Sequence, residues 1–187
     1  MIEVTTEAIV LEKEDSGEQD SRIFLFTKDF GKLSAKATSA RKITSKLAGH
    51  LEPLNYVTAR LVSRFDFLDS RSVQVIDALL IDNAGVLKSD PVNLRKAVEV
   101  LNLIRQSIPD GVPDKDLWQV LQDLRCQKFS YGFQEVLNLL GFDSAFASCE
   151  LCQKSQPEYF YPRSQFFVCQ FCSLNSQDNR KQLIKIV

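Results

Sequence analysis

Four of the five cysteines of this chain form two pairs with the same internal spacing. Two residues separate Cys149 from Cys152, two separate Cys169 from Cys172, and sixteen lie between the pairs. A two-residue spacer lets both thiolates of a pair bind one ion from a tight turn, and two such turns complete a tetrahedral site. The spacing therefore predicts one structural zinc ion with four thiolate ligands.

Two other uses of these cysteines stay open. Cysteine pairs form disulfides in an oxidising environment, and a CxxC pair is also the motif of thioredoxin-like redox proteins. The redox motif belongs to a βαβ unit, and no such pattern surrounds either pair. Four protein ligands would leave no coordination position open, so the expected metal stabilises the fold without catalysing a reaction.

The segment between the cysteine pairs is rich in aromatic residues on both sides of a turn-prone dipeptide. Residues 159–161 (YFY) precede Pro162-Arg163, and residues 166–167 (FF) follow it. Aromatic residues favour strands and proline favours turns. We therefore expect a short β-ribbon that joins two metal-binding turns.

Residues 1–82 have the pattern of a small β-barrel, and helical patterns follow. Five β-rich runs, separated by turn-prone stretches, cover 2–11, 22–27, 32–38, 55–64 and 72–81. These runs predict a five-stranded barrel. Asp90-Pro91 then resembles a helix cap, and a second helical pattern begins near Pro113-Asp114 and continues to Gly141, with Gly132 as a candidate break. The chain is thus predicted to be α+β, with domains 1–82 and 83–187.

The net charge of −1 hides two segments of opposite sign. Residues 12–20 carry five acidic side chains and one lysine, a net −4, whereas 28–46 carry six basic side chains and one aspartate, a net +5. Strand periodicity places Lys32 and Lys36 on one face. The pattern predicts a basic stripe on one side of the barrel, with the acidic excess elsewhere, as expected for phosphate contact. A solvated face with ordinary surface lysines is the alternative.

Other candidate residues favour structural roles. Phe24 and Phe26 are candidate stacking platforms for bases, but they alternate with apolar residues and are expected in the barrel core. Cys126 is expected on a helix face, and His50, the only histidine, as a solvated loop residue. The sequence shows no nucleophile with an adjacent base and no phosphate-binding glycine loop. It is therefore predicted not to be an enzyme.

The longest apolar runs contain four residues, far fewer than the roughly 20 of a membrane-spanning helix, and the first residues have no secretory-signal pattern. A soluble cytoplasmic protein without membrane contact is expected.

Several segments together carry a family resemblance. They are 8–11 (AIVL), 17–27 (GEQDSRIFLFT), 31–37 (GKLSAKA), 40–42 (ARK), 45–53 (SKLAGHLEP) and 133–142 (FQEVLNLLGF), the last of which leads into Cys149 and Cys152. In order and spacing they resemble the bacterial recombination mediators of the RecO family. The resemblance implies an N-terminal OB-fold barrel and a helical domain with an embedded zinc ribbon.

The resemblance also implies a function in recombinational DNA repair without enzymatic activity. Members of the family bind single- and double-stranded DNA, anneal complementary strands, and act with RecR on DNA coated by single-strand-binding protein (SSB) so that RecA can load. A bacterial, nucleoid-associated location is implied. The family pattern continues with several helices after the last cysteine, whereas 15 residues follow Cys172 here, so the implied SSB contact is expected to differ.

The residues that match the family's DNA-binding region are basic. The candidates are Lys32, Lys36, Arg41, Lys42, Lys46, Arg22 and Arg60. The resulting hypothesis is a DNA-binding recombination mediator that contacts phosphates without reading sequence. The alternative is a zinc-ribbon adaptor that docks another repair protein and contacts DNA only incidentally.

Overall fold

The computed structural model describes residues 1–42, 45–67, 72–126, 133–175 and 183–186. The chain divides into two compact units, Met1–Lys128 and Phe129–Val187. The sequence-based boundary near residue 82 falls inside the first unit, at the end of its last strand. That residue 82 separates two independently folding domains stays a prediction.

The first unit contains a closed five-stranded barrel. Its strands are β1 (Ile2–Ser16), β2 (Asp20–Thr27), β3 (Gly31–Ala37), β4 (Tyr56–Ser63) and β5 (Gln74–Asp82). They follow the order β1-β2-β3-β5-β4, the arrangement of an OB-fold. The predicted barrel is therefore confirmed. β1 runs five residues beyond its predicted end, and its pairing with β2 shifts register between Val10 and Glu12.

Alternating apolar residues of the five strands fill the barrel interior. Ile23 and Leu25 of β2, Leu33 of β3 and Leu61 of β4 are fully buried there. Each fills the interior because successive side chains of a strand point to opposite faces.

The barrel closes along a short seam between β3 and β5. Within the described residues these two strands pair in parallel at Lys36 and Gln74 alone, where the Lys36 N–H donates to the carbonyl oxygen of Val73 at 2.9 Å. By contrast, β2 and β3 pair without interruption along their whole length, from Ser21 opposite Ala37 to Thr27 opposite Gly31.

In the described part of the first unit, three helices follow the barrel. They are α2 (Gly85–Lys88), α3 (Pro91–Ser107) and α4 (Lys115–Arg125), whereas α1 (Leu47–His50) lies between β3 and β4. The side chain of Asp90 accepts hydrogen bonds from Val92 and Asn93, and that of Asp114 accepts from the first turn of α4. Both predicted helix starts are confirmed, because aspartate satisfies N–H groups that lack helical partners.

Phe24 and Phe26 correct an expectation. They do not lie in the barrel interior but on the outer face of β2, under the helices. Phe26 stacks on Trp118 of α4 with ring centroids 6.4 Å apart, and the Arg105 guanidinium of α3 lies 4.7 Å from the Phe24 ring centre. β2 carries apolar residues on both faces because one face lines the barrel interior and the helices cover the other.

In its described residues, the second unit combines two helices with a small sheet. Its elements are α5 (Phe133–Leu139), β6 (Tyr159–Tyr161), β7 (Phe166–Val168), α6 (Gln170–Asn175) and β8 (Ile184–Lys185), with the sheet order β7-β6-β8. The predicted ribbon is the antiparallel pair of β6 and β7. The predicted helical stretch around Phe129 and Gly132 lies outside the described residues. No helix in the described parts of the chain is long and apolar enough to span a membrane.

Candidate metal centre and basic surface

The two cysteine pairs sit at the ends of the β6–β7 ribbon in two different turns. In the first turn Gln153, at a φ of +60°, donates its N–H to the carbonyl oxygen of Cys149 at 2.8 Å, and the Cys149 N–H donates to Lys154. In the second, Cys169 immediately precedes α6, and its carbonyl oxygen accepts the N–H of Ser173 at 3.0 Å. Cys172 therefore lies in the first turn of α6.

These turns bring the four thiols together. All four Sγ atoms lie within 4.8 Å of one another, and those of Cys152 and Cys169 are 3.6 Å apart. Cys149 and Cys169 are buried, whereas Cys152 is exposed. The cluster is large enough to hold one metal ion, as the spacing predicted.

The thiols differ in their tendency to ionise. Burial raises the pKa of Cys149, but backbone hydrogen bonds, the strongest from Cys169, more than offset it and bring that pKa to about 6. Desolvation and the neighbouring thiols instead raise the pKa of Cys172 to about 12. A cation among the sulfurs would favour the thiolate form of all four, because thiolate is the ligating form.

Aromatic side chains support the ribbon from below. The Phe160 ring of β6 is fully buried, 4.9 Å from the Phe142 ring and 5.0 Å from the Phe167 ring between centroids. The Glu150 N–H donates to the carbonyl oxygen of Phe167 at 2.9 Å and so ties the first cysteine turn to β7. The thiol cluster is thus held by a packed core as well as by its turns.

Four of the predicted DNA-binding residues converge at one edge of the barrel, around the β1–β2 turn. We call Arg22, Lys36, Arg41 and Lys42 the basic cluster. Arg22 faces Lys36 across the β2–β3 pair, and all four residues are exposed. The Arg41 N–H donates to the carbonyl oxygen of Gln19 at 3.0 Å, which fixes the chain after β3 beside that turn.

Acidic residues of 12–20 lie against the basic cluster, which corrects the expectation of separated charge. The Lys36 ammonium lies 2.8 Å from an Asp20 carboxylate oxygen, and the Arg41 guanidinium lies 3.3 Å from Asp15. The Lys36 hydrogen bond, and then a backbone N–H of Ser39, lower the pKa of Asp20. Segments of opposite sign in sequence meet because the hairpins β1–β2 and β2–β3 share a strand.

Lys32 takes a structural position that the sequence pattern did not reveal. It shares the outer face of β3 with Lys36, but it is 8% exposed. Its ammonium donates to the carbonyl oxygen of Arg105 at 2.7 Å and lies 3.2 Å from Asp110. The helices cover this half of the strand, so the exposed basic surface begins at Lys36.

Comparison with known proteins places the chain in a family. Residues 1–78 match the family model described as "Recombination protein O N terminal". A protein named "DNA repair protein RecO" from Thermodesulfovibrio yellowstonii is 30% identical over 181 residues, which are 90% of this chain and 70% of that protein. The chain belongs to the RecO family.

Other members of the RecO family match over similar spans. The protein of that name from Caldanaerobacter subterraneus is 25% identical over 97% of this chain and 77% of its own length. That from Dehalococcoides mccartyi is 30% identical over 89% of this chain and 69% of its own length. These alignments extend well beyond the region of the family model, as expected from the resemblance at residues 133–142.

Two further predicted DNA-binding residues of this RecO family member, Arg60 and Lys46, do not belong to the basic cluster. Arg60 of β4 is exposed and pairs with Glu3 of β1 at 2.5 Å, on a strand that does not adjoin β3. Lys46 is exposed immediately before α1. A role of any of the seven basic residues in DNA contact stays a prediction.

His50 differs from the sequence-based expectation, and Cys126 matches it only in part. His50 is half-buried in α1, and its Nδ1 lies 2.6 Å from the carbonyl oxygen of Ala78 in β5, so it is not a solvated loop residue. Cys126 is exposed and caps the C-terminus of α4. Periodicity could not reveal the His50 contact, because it joins residues 28 positions apart.

Proposed function

We propose that this chain binds DNA through the basic cluster and acts in recombinational DNA repair. The observation that carries the proposal is the position of Arg22, Lys36, Arg41 and Lys42, four exposed cations at one edge of an OB-fold barrel. Barrels of this fold bind nucleic acid strands on one face and in the adjoining loops. The names of the relatives as DNA repair proteins support the same assignment.

The proposed binding depends on charge and not on base identity. Lysine and arginine side chains neutralise phosphates and position a strand, whereas sequence is read by contacts to base edges. Phe24 and Phe26 are covered by the helices, so they are not offered to bases. Both single- and double-stranded DNA present the phosphates that such a surface requires.

The finer roles follow from the family resemblance. We propose that the chain anneals complementary strands, and that with RecR it acts on SSB-coated DNA to promote RecA loading, without catalysing a reaction of its own. A location at the bacterial nucleoid belongs to the same proposal.

The proposed metal is a structural zinc ion bound by Cys149, Cys152, Cys169 and Cys172. Because zinc–sulfur bonds are about 2.3 Å long, sulfurs at the corners of a tetrahedron around zinc lie about 3.8 Å apart. The measured 3.6 Å between Cys152 and Cys169 is close to that separation and far from a disulfide bond of about 2.05 Å. Zinc would join the two turns and leave no open position for catalysis.

Salt dependence tests the DNA-binding proposal. If four cations contact a single strand, the slope of log K against log salt is about −2.8, and affinity falls about fiftyfold between 50 and 200 mM salt. Fluorescence anisotropy with labelled poly-dT oligonucleotides measures this slope. Undetectable binding at 50 mM salt, or binding that salt does not weaken, would overturn the proposal.

The adaptor alternative has one observation in its favour. Leu151 and Phe171, which stand immediately before the second cysteine of each pair, are 59% and 68% exposed. Exposed apolar patches mark protein-interaction sites, so these two side chains are where an adaptor would make its contact. If Leu151→Ser with Phe171→Ser abolishes a complex with purified RecR and leaves DNA affinity unchanged, the ribbon is a docking element.

A further inference from the structure

The basic cluster is occupied from within the chain. Asp20 uses both carboxylate oxygens at this edge: one accepts the N–H of Ser39 at 2.8 Å, and the other lies 2.8 Å from the Lys36 ammonium. The positive charge of Lys42 also acts on Asp20 and lowers its pKa. The carboxylate therefore sits among the cations that the proposed function assigns to phosphate.

A second carboxylate holds the arginine of the cluster. The Arg41 guanidinium lies 3.3 Å from Asp15 and also donates to the carbonyl oxygen of Gly17 at 3.1 Å. Carboxylate and phosphate bind a guanidinium with the same planar donor geometry. The β1–β2 turn thus presents oxygen atoms at the positions that the phosphate oxygens of a bound DNA strand would take.

These pairs are open to water and therefore exchangeable. The side chains of Lys36 and Arg41 are 52% and 40% exposed, and those of their partners Asp20 and Asp15 are 24% and 67% exposed. Exposed ion pairs contribute little to folding stability, and salt screens them. A polyanion can displace the carboxylates without unfolding the hairpin.

We propose that the β1–β2 hairpin is an internal phosphate mimic, in which Asp15 and Asp20 compete with DNA for Arg41 and Lys36 and so limit DNA affinity. The inference rests on the proposed DNA-binding function and adds its regulation. A DNA strand must replace these two carboxylates in order to bind. Only a ligand with several adjacent phosphates gains enough binding free energy to do so. Single phosphates and short anions are excluded.

Neutral isosteres measure the competition. Asp15→Asn with Asp20→Asn removes both charges, while asparagine at 20 still has an oxygen to accept the Ser39 N–H. Since an exposed pair corresponds to about a twofold to fivefold change in an equilibrium, the double variant should bind poly-dT about 4- to 25-fold more tightly at 50 mM salt. The gain should shrink at 200 mM salt, where screening already weakens the internal pairs.

Glu18→Gln is the matched control. It removes one negative charge from the same hairpin, as Asp15→Asn alone does, and among the described residues Glu18 makes none of the ion pairs with the basic cluster. This variant should bind DNA within about twofold of the unmodified chain. If Glu18→Gln tightens binding as much as Asp15→Asn does, the effect is general charge reduction and the phosphate mimic is refuted.

The outcomes separate this inference from the proposed function. Unmodified chain that binds DNA with the expected salt slope, together with an unchanged affinity of the Asp15/Asp20 double variant, refutes the mimic and leaves DNA binding in place. If neither protein binds DNA, both proposals are overturned.

Discussion

The ammonium of Lys32 donates a 2.7 Å hydrogen bond to the backbone carbonyl oxygen of Arg105. In a helix that oxygen would accept the N–H of residue 109, but residue 109 is proline, which has none. Lys32 satisfies a group that α3 itself leaves open. The Gly111 N–H returns a hydrogen bond of 2.8 Å to the carbonyl oxygen of Lys32, so β3 is joined to the last turn of α3 and to the α3–α4 connection.

Lys32→Ala should therefore destabilise the fold. The variant removes the buried ammonium that contacts the Arg105 carbonyl oxygen and the Asp110 carboxylate, and losing a buried charged hydrogen bond costs about 2 kcal/mol. Urea unfolding followed by tryptophan fluorescence measures the loss. Lys36→Ala, which removes an exposed lysine from the same strand face, should change stability by less than about 0.5 kcal/mol. Equal losses in both variants would contradict the assigned contact.

Gly31→Ala should be more damaging than the same change at Gly17. Both glycines have a positive φ, of +66° and +77°, which costs a residue with a side chain about 1–2 kcal/mol. A Cβ at Gly31 would lie 1.9 Å from the carbonyl oxygen of Val112, whereas one at Gly17 meets nothing within 4 Å. We expect Gly31→Ala to exceed Gly17→Ala by at least about 2 kcal/mol in urea unfolding. A difference near zero would mean that the Val112 loop moves aside freely.

Arg125→Met should release α4 from the barrel. The side chain is 4% exposed, donates to the carbonyl oxygen of Leu54 at 3.1 Å, pairs with Asp82, and lies 4.7 Å above the Tyr56 ring. The Asp82 side chain is 51% exposed, so the main cost is the donor lost to the buried Leu54 carbonyl oxygen, about 1–3 kcal/mol. The thermal midpoint should fall by several degrees, whereas Arg95→Met, on the exposed face of α3, should leave it unchanged.

Substitution of the basic cluster should weaken DNA binding without unfolding. Lys36, Arg41 and Lys42 changed together to alanine should lower the affinity for poly-dT at least tenfold and make the salt slope shallower by about 2. Arg95, Lys96 and Lys115 form a control with the same charges, one arginine and two lysines, all exposed on α3 and α4. Equal losses in the two triple variants would show that net charge, and not this surface, governs binding.

Cys152→Ser should abolish binding of the proposed zinc ion, whereas Cys126→Ser should retain it. Cys152 belongs to the thiol cluster, and Cys126 is an exposed residue at the end of α4. Metal analysis of freshly purified, reduced protein should give one zinc per chain and none in the Cys152 variant. Metal affinity should decrease as the pH is lowered, because protons then compete with the metal for the thiolates. Full zinc content in Cys152→Ser would contradict the four-thiolate site.

The features that were predictable from sequence are those written in short segments. The two CxxC pairs, the aromatic ribbon between them, and the caps at Asp90 and Asp114 each depend on residues fewer than about twenty positions apart. The barrel was predictable because strand periodicity records which residues face its interior. Periodicity does not record what covers the other face, which is why Phe26 was placed in the wrong layer.

Contacts between distant segments were not predictable. Lys32 and Arg105 lie 73 positions apart, and nothing in the local pattern of β3 distinguishes Lys32 from Lys36. Charge totals identified one acidic and one basic segment of the sequence. The sign of a segment's charge does not tell where that segment lies in space. The hairpin that joins Asp20 to Lys36 determines that, through strand register.

The short β3–β5 seam gives the barrel a preferred line of opening. Hydrogen-bonded segments with few partners exchange their amide protons through small local openings, whereas continuous ladders exchange only on larger unfolding. The amide of Lys36 should therefore exchange faster than that of Leu33, which lies in the uninterrupted β2–β3 ladder. Because Lys36 lies on the seam and in the basic cluster, a bound strand would slow exchange there and make the barrel more rigid at its weakest join.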